Sequence, residues 1–219
     1  MITPAPKLVR PADLVYSVVK QRIMLNQLKP EAVLTELGLA HEIGCSQGTI
    51  REALLRLQEE GLVARTGRRG TCVTRLNAEE ARELLNLRKQ VEGRGALKAV
   101  RALDDATLAS LDELRREMAE AARAGDEYGL IEADSAFHLA VFRLAELPAL
   151  EPILVRCIMH GHRSKLWAPG HRRPLVDTAR RHDPLYELLA ARDGEGLAAA
   201  LGEHIDTIVL EDEERERAA

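Results

Sequence analysis

The 219-residue sequence predicts a mainly α-helical protein in two parts. The first is three helices closed by a β-hairpin; the second is an all-α bundle of six to seven helices. Three observations carry this expectation. Aromatic residues make up only 3% of the chain, so the core is built from Leu, Ala, Val and Ile, which suits helices better than β-sandwiches. Apolar residues recur at helical spacing through most of the length. The charge is also divided. Residues 1–75 hold 11 Lys and Arg against 7 Asp and Glu, and the remainder hold 20 against 28, within a formal net charge of −4.

Pro4, Pro6 and Pro11 mark the first ten residues as a loose tail. Leu14, Val15, Val18, Val19 and Ile23 predict a helix over 12–27, ended by Lys29-Pro30. Thr35 caps a short second helix carrying Leu37, Leu39 and Ile43, and Gly44 breaks it. Ser46 caps a third helix with Ile50, Leu54 and Leu57 inside, and Gly61 stops it. Two β-prone runs, 62–66 and 71–74, flank a Gly-bounded turn and read as a hairpin. Beyond Asn77 helical patterns run over 78–103, 105–124, 127–145, 148–167, 175–192 and 194–213. Asp104, Asp126 and Asp193 sit at the breaks, and Pro148 suits a first helical turn.

Composition narrows the function classes. With 46% hydrophobic and 30% charged residues, wholesale disorder is excluded. Cys45, Cys72 and Cys157 form no CxxC pair, so neither a disulfide framework nor a Cys-rich zinc site is expected. The N-terminus lacks the apolar run of a signal peptide, and no stretch nears the roughly 18 apolar residues of a membrane span. The expectation is a reduced, cytoplasmic protein with no membrane partner.

The second helix, the Gly44-Cys45-Ser46 turn and the third helix form a helix-turn-helix candidate, with the hairpin as its wing. In such a unit the second of the two helices enters the major groove by its N-terminal end. Ser46 and Thr49 hydroxyls suit phosphate oxygens, Gln47 an adenine edge, and Arg51 guanine or phosphate. Arg56, Arg68, Arg69 and Gly70 complete the candidate DNA contacts, the last three at a wing tip narrow enough for a minor groove. The alternative is a capped amphipathic helix with ordinary surface charge.

The run from Thr49 to Leu57, Glu60-Gly61-Leu62-Val63, and Arg68-Arg69-Gly70-Thr71 with Val73 resemble the winged helix-turn-helix of GntR-family transcription regulators. The resemblance covers residues 10–75. It implies sequence-specific binding of a double-stranded DNA operator with two-fold related half-sites by a homodimer. It also implies that Arg51 is the recognition-helix arginine. Gln47 departs from the family, which usually has Arg there, and Gly48 is smaller than usual, so operator preference does not transfer.

In the second half, Asp134 and His138 lie four apart, on one helix face, as two ligands to one ion require. His182 and His204 fall on later helices among apolar residues. Three imidazoles and a carboxylate suit a divalent ion such as zinc, nickel or manganese. Each His is otherwise a satisfied core or surface residue. Together the four resemble the ligand set of the FCD domain of FadR-type GntR regulators, over residues 78–213. The resemblance implies a metal that helps hold a small organic acid or is structural, and an Arg88 that points into the pocket as a carboxylate partner. Glu146-Leu147-Pro148 and Arg181 depart from the family pattern. Trp167 is a candidate pocket wall. His160, His162 and His171 read as non-ligands, because His160 and His162 point to different helix faces. Arg163, Arg172 and Arg173 read as a solvated face.

Three functions remain open on the sequence. One is a transcription regulator responding to a small carboxylate or sugar acid. The second is a metal-dependent hydrolase with a nucleic-acid binding module, for which no general base, nucleophile motif or phosphate loop is evident. The third is an architectural DNA binder with an inert bundle.

Overall fold

The computed structural model describes residues 10–67, 70–167 and 173–208. Arg68, Arg69, His171, Arg172 and the acidic C-terminal run lie outside the described residues. The chain forms two compact units that divide after Arg75.

In the first unit, α1 (Pro11–Met24) opens with a proline at its first turn, where a missing N–H costs nothing. It ends three residues earlier than the pattern predicts, because Asn26 turns left-handed at φ +57°. Val15, Val19 and Ile23 bury against α3 (Gln47–Glu59). Between them lies α2 (Glu36–Ile43), capped by Thr35 and closed by Gly44 at φ +75°. The strands β2 (Val63–Arg65) and β3 (Thr71–Val73) pair antiparallel, with Ala64 opposite Cys72. A third strand, β1 (Val33–Leu34), joins the far side of β3. At two residues it is too short for a period-2 signal, so the sequence pattern does not reveal it.

The second unit is helical. α4 (Ala78–Ala102) starts from a capping box in which Asn77 and Glu80 satisfy each other's backbone amides. α5 (Asp105–Ala124), α6 (Glu127–Arg143) and α10 (Gly194–Asp206) are capped by Asp104, Asp126 and Asp193, the three aspartates at the expected breaks. Each carboxylate accepts a hydrogen bond from the amide three residues on. Pro148 belongs to a 3-10 turn over Pro148–Leu150 rather than to a helix; α7 follows over Glu151–Trp167.

The one long helix expected over 175–192 is two, α8 (Leu175–Arg180) and α9 (Asp183–Ala190). Pro184 has no N–H for a continuing ladder, and its ring opposes the carbonyl of residue 180. His182 is left at the break, fully buried.

α4 packs on α6, α7 and α10, and α5 on α6, around Leu111, Met118, Phe137, Leu185, Leu189, Leu197 and Leu201. At Gly95 α4 comes so close to α6 that an added Cβ would lie 2.8 Å from Phe142. Gly95→Ala should therefore lose about 1 kcal/mol net, because overpacking of about 1–3 kcal/mol outweighs a helix-propensity gain of about 1 kcal/mol. A lowered urea midpoint checks this, and Phe142→Leu in the same chain should restore it.

Candidate metal centre and nucleic-acid interface

Asp134 and His138 sit one turn apart on α6, His182 at the α8–α9 break, and His204 on the last turn of α10. All four are buried, and one ligand atom from each lies within 4.8 Å of the others. The imidazole centroids are 4.7–5.4 Å apart.

The imidazoles are oriented from behind. His138 Nδ1–H donates to Glu92 Oε2 at 2.6 Å, and His182 Nδ1–H to the Ala179 carbonyl at 3.2 Å. Both Nε2 lone pairs then face the cluster. Among the described residues, His138 Nε2, His182 Nε2 and His204 Nδ1 are buried with no hydrogen-bond partner. His182 Nε2 is 3.0 Å from Asp134 Oδ1 but not aligned to bond it. Three orphaned nitrogens in a core are costly unless something binds them. A borderline divalent ion fits this donor set.

Burial raises the Asp134 carboxyl, but the imidazoles of His162 and His182 outweigh it and hold it well below the usual range. Burial keeps His138 below its ordinary value against the pull of Glu92, and keeps His204 well below. Burial thus favours the neutral form of His138 and His204, and Asp134 is ionised, protonation states that suit a cation.

His204 is fixed through its backbone. The Arg181 guanidinium donates to the His204 carbonyl and to Thr207 Oγ1, holding the end of α10 to the α8–α9 break.

Arg88 is fully buried on α4. Its Nε donates to Glu92 Oε1 at 2.5 Å, while both terminal nitrogens have no hydrogen-bond partner among the described residues. Burial raises the Glu92 carboxyl, but Arg88 and His138 outweigh it and bring it to about 2. Glu92 is a site residue the sequence reading missed; its signal was the Arg88-to-Glu92 spacing of four on a helix. His162 stands outside the four-residue cluster but touches it. His160 and His162 do face different ways, but His162 Nε2–H donates to Asp134 Oδ2 at 2.9 Å, so it belongs to the cluster's surroundings. His160 is instead buried beside Arg163. Arg163 is no solvated surface charge: it is 1% exposed, stacked 4.3 Å from the Trp167 ring, and burial lowers it to about 10. Trp167 is half-buried under that stack. Arg173 donates to the Thr207 carbonyl.

In the first unit, Ser46 caps α3 by accepting from Thr49 N at 3.2 Å, and the two hydroxyls lie 2.9 Å apart. Gln47 is exposed on the first turn. Arg51 reaches solvent but is held by a bidentate pair with Glu36 of α2, at 2.6 and 3.0 Å. Gly70, at φ +81°, turns the chain into β3. Arg56 faces α1, paired with Asp13 at 2.6 Å and stacked 4.0 Å over Tyr16. Its guanidinium helps pack α1 on α3 while its side chain stays 38% exposed.

Comparison with known proteins agrees with both units. Residues 11–73 match the model of bacterial regulatory proteins of the gntR family, and residues 83–207 match the FCD domain. The chain belongs to the GntR family of transcription regulators and carries an FCD domain. It is 28% identical to the HTH-type transcriptional regulator McbR of Escherichia coli (strain K12), over 84% of each chain. Its fold is similar to the structure of E. coli McbR/YncC, with a TM-score of 0.77 at 24% identity, covering 95% of this chain and 100% of that one. A putative GntR regulator from Rhodococcus sp. RHA1 is similar at a TM-score of 0.66 and 26% identity, over 96% and 99%. Regulators of this family bind DNA operators and are not enzymes, which sets the hydrolase reading aside. No helix among the described residues is long and apolar enough to cross a membrane.

Glu92 is the shared acceptor of two buried groups. Glu92→Ala should cost about 3–5 kcal/mol, because it strands the Arg88 charge in the core. A calorimetric melting scan checks this, and Arg88→Met in the same chain should recover part of the loss.

Proposed function

We propose that this regulator senses a small carboxylate or sugar acid through a divalent ion, zinc, nickel or manganese, held by Asp134, His138, His182 and His204. The observation that carries the reading is the set of three buried imidazole nitrogens without hydrogen-bond partners among the described residues, converging with Asp134. When bound, the ion supplies Lewis-acid attraction for an acid's carboxylate. The chain's own residues do the rest. Glu92 and the Ala179 carbonyl hold two imidazoles in register, and the free terminal nitrogens of Arg88 offer a bidentate partner for an anion.

The protein reads an operator with two-fold related half-sites as a cytoplasmic homodimer. Ser46, Gln47, Thr49 and Arg51 make the contacts of the recognition helix, and Arg68, Arg69 and Gly70 those of the wing. Effector occupancy changes operator affinity through a coupling of about 1–3 kcal/mol, typical of two linked sites.

Purified protein should contain about one divalent ion per chain by elemental analysis, and His138→Ala should lose it. Metal-free wild-type protein would refute the centre. Arg51→Ala should weaken binding about 10- to 100-fold on the DNA site that the wild-type protein selects from a random pool, with the melting temperature kept. Unchanged affinity would remove the recognition-helix assignment.

A further inference from the structure

Lys165 on α7 is a half-buried cation that lies outside the four-residue cluster. It lines a narrow cleft with Glu127, Asp134, His162, Leu175 and Thr178. Among the described residues its hydrogen bond goes to a neutral hydroxyl, Thr178 Oγ1, at a long 3.4 Å. Burial, reinforced by Arg173, lowers its ammonium to about 8. A half-buried ammonium whose hydrogen bond among the described residues is to a hydroxyl has donors to offer an anion entering the cleft.

The second observation is where Arg88 lies. Its Nη1 is 3.9 Å from the position a Cβ would take on Gly161. Gly161 and Lys165 are one turn apart on the same face of α7, about 5.4 Å along the axis. Two cations short of acceptors thus approach the Asp134 cluster at neighbouring levels of one helix.

We propose that the effector is a dicarboxylic acid of about four or five carbons, with Lys165 binding the carboxylate farther from the cluster. The inference rests on the effector reading above and narrows its ligand class. Arg88 and the ion take one carboxylate. Lys165 then discriminates acids that carry a second from those that do not.

The test is calorimetric titration of the full-length, zinc-loaded protein with matched acids. The pairs are succinate against butyrate and glutarate against valerate, for wild type and Lys165→Met. Wild type should bind each diacid about tenfold tighter than its monoacid, the size of one charge-assisted contact. Lys165→Met should bring each pair within about twofold while keeping the monoacid affinity. Equal wild-type affinities, or a diacid preference that survives Lys165→Met, would overturn the Lys165 assignment and leave the effector reading standing. Binding of none of the four acids would overturn the dicarboxylate proposal, and the effector reading would then rest on the sugar acids. An inorganic phosphate arm separates the chemistry: phosphate binding as tightly as succinate would replace the dicarboxylate with a compact dianion and also overturn the proposal.

Discussion

Glu92 is the group around which the bundle's interior is arranged. Its carboxylate lies between the Arg88 guanidinium and His138 Nδ1, all three buried. Each partner lowers the energy of the charged carboxylate, and the carboxylate in turn fixes which nitrogen of His138 faces the cluster. Without it, α4 would carry an unpaired cation into an apolar core and α6 an imidazole of undefined tautomer. The close approach of α4 to α6 at Gly95, next to buried Phe142, keeps those groups in register.

The cluster is held from three directions at once. α6 contributes two groups because four residues make nearly one turn. The α8–α9 break contributes His182, held by the Ala179 carbonyl, and α10 contributes His204, anchored at its end by Arg181. Arg181 and His182 are neighbours in sequence, so one kink both delivers a ligand-type side chain and fastens the helix that delivers the next. The kink and the end of α10 are thereby tied to the cluster through Arg181.

The DNA-reading unit follows a different logic. Its recognition helix is positioned by ordinary packing through Ile50, Leu54 and Leu57, and by Arg56 against Asp13 and Tyr16. Its polar first turn is left outward. Arg51 is already paired with Glu36, so under the proposed recognition role, contact with DNA would exchange one charge-assisted pair for another.

Local signals in the chain were sufficient for most of the helices, for their caps and for the family, but not for the break at His182. Asp104, Asp126, Asp193, Thr35 and Ser46 act through contacts three residues away, so their role is readable without a fold. Asp134, His138, His182 and His204 were also legible, as residue types at recognisable spacing. What only the tertiary structure decided are relations between residues far apart in sequence. Glu92 looks like any helical carboxylate until α6 brings His138 to it across 46 positions. Arg163 looks like a surface charge until Trp167 and the bundle cover it, and His162 like a bystander until Asp134 is placed opposite. Arg56 reads as a DNA contact alone until Asp13 of α1 is placed beside it. Short-range hydrogen bonding is written into local sequence, whereas burial and charge pairing depend on which helices become neighbours, and that is settled by packing.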